Sequence, residues 1–456
     1  MSGRSEPRSR SWVAALVLLG SAIAAVLVAP HPSAAPSGPP PGRGEPVRNT
    51  LLACPALKAD AQGGRTTYGV GSADLSDVSS GGEIRLDPDG EAPGRGRTVA
   101  GRAPAEQGLT VTAAGGLAQG LFAWRVDDGK ALATLRCDAP RGSWWFAGAG
   151  ASLDHESTLV LTNLDAGPAV VDVDVFGPQG PVDVSASGGR GITVGPGEHV
   201  ALSMVELAPQ SDELAVHVVA SQGRVVAAMR DRYAGSATST PGDEWLSGAA
   251  APARIVRLVG APAGGHRTLV VANPGDSVAP LTVEVTGPNG RSLATGLGDL
   301  SVGPGSVTTV DLSKVLRGEA YGVIVRSERP VVAGLRVLTG AGDDVVAGPA
   351  LPLTAPAAVP VVGASTLQLV GGAAPSRVRV QMFGGSGGQL AEQSVELDAN
   401  ALVQVPVQPE AAYAVVTPTQ GMPYGAVLSV VRKRASAQPL ADLPVLARVP
   451  GVRPAG

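Results

Sequence analysis

A phrase of four strands recurs along the chain and restricts its fold more than any other feature. One copy reads TLVLTN (158–163), VVDVDVFGPQG (170–180), ITVGPG (192–197) and LAVHVVASQGRVVAAMRD (214–231). About 110 residues later the same order returns as TLVVANP (268–274), LTVEVTGPNG (281–290), LSVGPG (300–305) and AYGVIVRSERPVVAGLRV (320–337). A worn copy follows with TLQLV (366–370), VRVQMFGGSGG (378–388), VELDANALVQVPV (395–407) and AYAVVTPTQGMPYGAVLSV (412–430). A divergent first unit ends in LFAWRVDDGKALATLRC (121–137), where Arg136 is read as the counterpart of Arg230 and Arg336, with Ser429 taking that place in the last copy. A period near one hundred residues is too long for a solenoid and fits one β-sandwich domain.

Alternation supports strands. Val171, Val173 and Val175 interleave with Asp172 and Asp174, and Leu281, Val283 and Val285 with Thr282, Glu284 and Thr286, which places one face in a core and the other in water. Gly-Pro-x-Gly at 177–180 and 287–290 supplies the fixed φ and the glycine of tight turns. The expected fold class is therefore all-β: tandem Ig-like β-sandwich domains after an N-terminal transmembrane or signal helix. The expected boundaries are a cytoplasmic n-region 1–11, signal-anchor helix 12–29, Pro-rich stalk 30–48, divergent sandwich 49–140, sandwich repeats 141–246 and 247–350, degenerate repeat 351–449 and tail 450–456. Trp145-Phe-Ala-Gly, Trp245-Leu-Ser-Gly and Val345-Val-Ala-Gly, one hundred residues apart, mark the expected joints.

Arg4, Arg8 and Arg10 precede the apolar run from Trp12 to Ala29. Positive charge on that flank orients the segment with its N-terminus in the cytoplasm and directs the rest outward. The segment is long enough to stay in the membrane as an anchor, whereas Ser33-Ala34-Ala35 offers small residues for cleavage and release. The expected location is the cell membrane, single-pass with the domains outside, or secreted in the alternative. Export makes a disulfide between the only two cysteines, Cys54 and Cys137, the natural reading.

A net charge of −4 with four lysines, at 58, 130, 314 and 433, gives no basic stripe, so nucleic acid is not an expected partner. No catalytic, cofactor or metal residues are expected. Gly384-Gly-Ser-Gly-Gly388 matches the serine-hydrolase elbow pattern but falls where the other copies have hairpin turns. His31, His155, His199, His217 and His266 lie at no ligand spacing; His217 alternates with valines as a sheet-face residue, and Asp154-His155-Glu156 reads as a solvated loop. Asp87-Pro-Asp89-Gly90 and Asp127-Asp128-Gly129 resemble fragments of calcium loops and read as turns. Trp144, Trp145 and Phe146, with Trp245, are the candidate ligand or inter-domain contacts, as a sugar-stacking platform or as wedges between domains.

Cys54-Pro55, Cys137, Trp144-Trp-Phe-Ala-Gly148, the strand-Asn openings at Asn163 and Asn273 and the V-G-P-G turns together resemble an actinobacterial family of exported or membrane-anchored proteins of unknown function, from about Leu51 to the end. The resemblance implies a cell-envelope location and repeated sandwich domains, and implies no activity. The resulting expectation is a non-enzymatic envelope protein, tied to the membrane through its N-terminal helix and contacting an envelope protein or a cell-wall glycan. The alternatives are a carbohydrate-binding protein and an enzyme with an unrecognised site.

Overall fold

The repeated phrase forms strands because its alternating valines each bury one face. Val171, Val173 and Val175 are fully buried while Asp172 and Asp174 between them are partly open to solvent. The computed structural model describes residues 43–57, 64–75, 78–79, 81–235, 241–316, 319 and 322–449. The expected anchor at 12–29, most of the stalk and the tail 450–456 lie outside them. Among the described residues no helix is long and apolar enough to cross a membrane. The short strands Arg43–Pro46 and Leu446–Val449 pair with each other.

The invariant-looking ends of the phrase have a structural cause. Asn163 is fully buried and donates through Nδ2 to the carbonyls of Gly167 (2.8 Å) and Val194 (2.9 Å), while its Oδ1 accepts from Asp165 N–H. Asn273 does the same for Ser277, Val302 and Gly275 one copy later. Each asparagine thus satisfies the backbone of the loop that follows its strand and the strand after the V-G-P-G turn. The turn glycines Gly197 and Gly305 have φ of 72° and 60°, a conformation that favours glycine.

Residues 46–447 form one compact unit, and this overturns the expectation of tandem Ig-like sandwich domains in a row. The four repeats close on themselves as the blades of a four-bladed β-propeller; the strands of the first and fourth blades fall into two sheets each, and those of the second and third into one nine-stranded sheet each. In the second blade the sheet runs Ala169–Gly177, Ser211–Gln222, Ser143–Ala151, His155–Thr162, Val226–Tyr233, Gly242–Leu246, with His199–Ser203 also pairing with His155–Thr162. The last strand of each blade lies at the centre: Leu132–Arg136 touches Gly242–Leu246, which touches Asp344–Ala347, which touches Arg434–Pro439, which returns to Leu132–Arg136. Closure occurs where the first and fourth blades meet. Phe122, Trp124 and Leu132 of the first pack on Ala358, Phe383, Tyr413 and Val415 of the fourth, and Tyr413 Oη donates to Gly96 O at 2.7 Å.

Neighbouring blades share apolar cores, so no blade buries its surface alone. Trp145, Ala147 and Ala215 of the second pack on Val270, Ala272, Val307 and Val332 of the third. Val259 of the third packs with Val370, Leu402 and Ala426 of the fourth. The disulfide joins Cys54 and Cys137 with a Cα–Cα distance of 4.5 Å across a separation of 83 residues. Closing so long a loop stabilises the first blade by roughly 4 kcal/mol on the chain-entropy estimate.

Register corrects three equivalences read from sequence. Arg136 lies on the innermost strand of the first blade; the residue matching Arg230 is Arg125, one strand further out. In the fourth blade Leu428, opposite Thr366, takes the place that Arg230 holds opposite Thr158, whereas Ser429 matches Asp231. Trp245 and Val345 belong to innermost strands, but Trp145 lies in the first strand of its blade, so the hundred-residue match among them is a coincidence of spacing.

Candidate functional site

The centre of the ring is built from the middle residues of the four innermost strands. Thr134, Glu244, Val345 and Ser436 occupy equivalent positions there. Ser436 Oγ donates to Glu244 Oε1 at 2.7 Å and accepts from Thr134 N–H at 2.9 Å; Glu244 also takes the backbone N–H groups of Trp245 and Ala437. No cation reaches Glu244 among these partners. Burial therefore pushes its carboxyl well above the usual carboxylate range, and the nearby charges of Asp343 and Asp344 push the same way.

Around this centre, buried arginines tie one blade to the next. Arg125 donates to Asp127 in its own blade, and Arg230 of the second blade reaches the same carboxylate at 2.8 Å. Trp245 Nε1 donates to Asp127 at 2.9 Å. Burial works against the ionised Asp127, but the charges of Arg125 and Arg230 outweigh it and hold its pKa below the ordinary value.

Between the second and third blades, Arg336 contacts Asp344 through Nη1 and donates through Nη2 to Asp231 (2.7 Å) and to Gly148 O (2.6 Å). One guanidinium serves two fully buried carboxylates. Burial opposes the charge on Asp231, but His155 and Arg336 beside it lower its pKa, helped by the Ser157 hydroxyl at 2.5 Å. Asp344 has fewer partners, and burial raises it to about 7 despite Arg336. Asp343 beside it is raised by burial to about 6.

At the end of the axis where the innermost strands leave the centre, all four blades line a depression of about 60 Å³, among them through Arg136, Arg141, Trp144, Leu351 and Gln438. That volume holds a few waters or a carboxylate-sized group. Asp138 bridges Arg136 (2.8 Å) and Arg141 (3.1 Å), and Arg141 lies over the Trp144 ring at 4.1 Å. Arg136 Nη1 is buried and makes no hydrogen bond. The depression therefore offers donor capacity beside one acceptor.

The candidate aromatic residues divide between cores and interfaces. Trp144 and Phe146 lie in the core of the second blade, and the Trp144 indole N–H is used by Val225 O at 2.9 Å. Trp145 packs between the second and third blades, and Trp245 between the first and second. None of these four rings is more than 7% exposed, so they form no open stacking platform.

His155 is not in a solvated loop. It begins a strand, is 1% exposed and bonds Asp231 at 3.0 Å. Asp127 and Asp128 end a strand and do not form a turn, whereas 384–388 makes the hairpin turn expected of it, with Gly384 N–H donating to Gly388 O. Among the described residues no group of three or more His, Cys, Asp or Glu side chains is placed to hold a metal ion. The buried charged set Arg125, Asp127, Asp231, Glu244 and Asp344 carries no site expectation from sequence, where Asp127 reads as part of a turn. Its one legible signal was charge inside an apolar strand, as in AAMRD at 227–231.

No curated protein matches the chain. Among solved structures, the Streptomyces avermitilis α-L-rhamnosidase complexed with L-rhamnose aligns at 12% identity and a TM-score of 0.14, over 84% of this chain and 57% of the enzyme. The chain thus spans little more than half the length of that enzyme, and a similarity so slight carries no argument. The profile of a family of unknown function, DUF5719, matches residues 96–408, well over half of the sequence. The chain belongs to the DUF5719 family, whose function is unknown.

Proposed function

We propose that the protein is a contact protein of the cell envelope, carried outside the membrane by its N-terminal segment, and that it engages a protein partner at the axial depression without doing chemistry there. The convergence of all four blades on Arg136, Asp138 and Arg141 carries this reading. Arg136 and Arg141 lie on the segment that joins the first and second blades while the other blades wall the depression around them, and guanidinium groups suit carboxylate or other acidic groups on a partner. The carbohydrate-binding alternative has less support, because the aromatic faces a pyranose ring would stack on are buried.

A photo-crosslinking residue placed at Leu351, which is 58% exposed and lines the depression, tests this on intact cells. The expected product is a crosslink to one envelope protein, reduced at least tenfold when Arg141→Glu is added. Crosslinks that are absent at Leu351 but present at a distant exposed site such as Leu293 contradict the reading. Crosslinks to glycan material favour the carbohydrate alternative.

A further inference from the structure

We propose that Ser143, on the flank of the second blade, is a nucleophile that accepts acyl groups from activated esters, with His217 as its base and Asp174 positioning the imidazole. Ser143 lies between Arg141 and Trp144, which line the axial depression, but the proposal does not depend on the reading given for that depression.

Three adjacent strands of one sheet present the three side chains. In the register of that sheet His217 lies opposite Asp174 on one side and opposite Trp145 on the other, with Ser143 two residues before Trp145 on the same face. Ser143 Oγ lies 3.0 Å from His217 Nε2, and His217 Nδ1 lies 3.1 Å from Asp174 Oδ2. A carboxylate on Nδ1 fixes the tautomer whose Nε2 lone pair faces the serine hydroxyl, the wiring of a nucleophile, base and orienting acid. Arg190 Nη1 holds the other oxygen of Asp174 at 2.6 Å. The Trp145 ring stacks on the imidazole at 3.9 Å and 9°, which fixes its plane. Burial holds His217 below its usual pKa despite Asp174, so the imidazole is neutral and able to take a proton near neutral pH.

The other serine–histidine and threonine–histidine contacts lack this wiring. His155 and Ser157 both bond Asp231 with no contact between base and hydroxyl, in a fully buried site. Among the described residues, Thr162–His199 and Ser313–His266 show no carboxylate on the second ring nitrogen.

The chemistry is bounded by the sheet. Gly142 O accepts from Ala220 N–H towards the neighbouring strand, and Trp145 exchanges both backbone bonds with Ala249 across the outer edge. Ser143 is in phase with Trp145, so its own N–H faces that edge, between the Trp145–Ala249 and Arg141–Val225 bridges. That gives one donor to a developing oxyanion where efficient acyl-transfer sites have two, a deficit of about 10²–10³ in rate. The substrate class is therefore an activated ester or thioester, whose leaving group needs little help from an oxyanion site. Ser143 Oγ adds to the acyl carbon and its proton passes to His217 Nε2. The bond from carbon to the leaving oxygen or sulfur breaks, the leaving group takes the proton from His217, and an acyl ester of Ser143 remains.

The test is labelling of the full exported chain with an aryl fluorophosphonate, read by intact mass and peptide mapping. The expected result is a single adduct on Ser143, absent in Ser143→Ala and formed at least 10²-fold more slowly in His217→Gln. Asp174→Asn leaves both reacting groups in place and is expected to slow labelling and shift its pH profile. Circular dichroism establishes that each variant is folded. A folded wild-type chain with no adduct at Ser143, or labelling unchanged by His217→Gln, overturns the proposal.

Discussion

Replacing Arg336 with alanine is expected to lower the unfolding free energy by about 3–5 kcal/mol, the range for removing one partner of a buried ion pair. Arg336 is 2% exposed, and its loss leaves Asp344 without its cation and Asp231 with His155 alone, together with an unmet Gly148 carbonyl. The residue also joins the second blade to the third, so the loss acts on closure of the ring as well as on local packing. If residues 46–447 unfold as one unit, the entropy of unfolding converts this loss to a drop of about 4–6 °C in Tm. Arg224→Ala is the control, because its pair with Asp165 is half exposed and worth at most about 1 kcal/mol. Equal small effects of the two substitutions, measured by chemical denaturation, would show that the buried pair does not hold the blades together.

Stability is expected to fall as pH rises from about 4 to about 8, the reverse of the usual behaviour of a protein rich in satisfied carboxylates. Glu244 is raised well above its ordinary value, Asp343 to about 6 and Asp344 to about 7, in each case first through burial. Unfolded carboxyls titrate near 4, so between there and the folded values the native state binds more protons than the unfolded chain. Stability then decreases with pH and the contribution is lost as pH passes each folded value. His155, raised by Asp231 against the effect of burial, adds in the same direction. Asp127 and Asp231 act oppositely: their pKa values are lowered, so their contribution is lost only as pH falls below the ordinary carboxylate range. Thermal unfolding should therefore show a maximum near pH 4–5 and a Tm several degrees lower at pH 8. Glu244→Gln keeps an acceptor for Ser436 and removes the ionisation, so it should flatten the curve and raise Tm at pH 8. A Tm that rises between pH 5 and 8, or a curve unchanged in Glu244→Gln, contradicts the assignment of buried neutral carboxyls to the axis.

Alternation and turn chemistry made the strands legible, and the asparagines at 163 and 273 marked where each opening strand hands over to its loop. Export and the bracketing of one unit pointed to the disulfide between Cys54 and Cys137. Closure was not legible, because it depends on contacts such as Thr134 with Ser436 and Ala133 with Trp245, made by small residues that follow no pattern in sequence. The first blade was misaligned for a related reason. Its hairpin carries two arginines, Arg125 and Arg136, and only pairing to Leu135 and Trp124 tells which belongs to which strand. His155 and Asp127 are not legible in place because a run of polar residues reads as solvated backbone, whereas each is buried against charge supplied by a distant repeat. The Ser143–His217–Asp174 line was hidden for the same cause: 74 and 43 residues separate its members, and cross-strand register alone brings them together.

Small-angle X-ray scattering on residues 46–447 tests most directly whether the four repeats form one closed ring. A compact chain of that length has a radius of gyration of about 21 Å, whereas four blades of about 13 Å each strung end to end would give about 40 Å. A value near 21 Å, unchanged over a dilution series, is the expected result. A value approaching 40 Å, with a distance distribution showing separate maxima for successive repeats, would contradict the ring and restore the picture of independent domains.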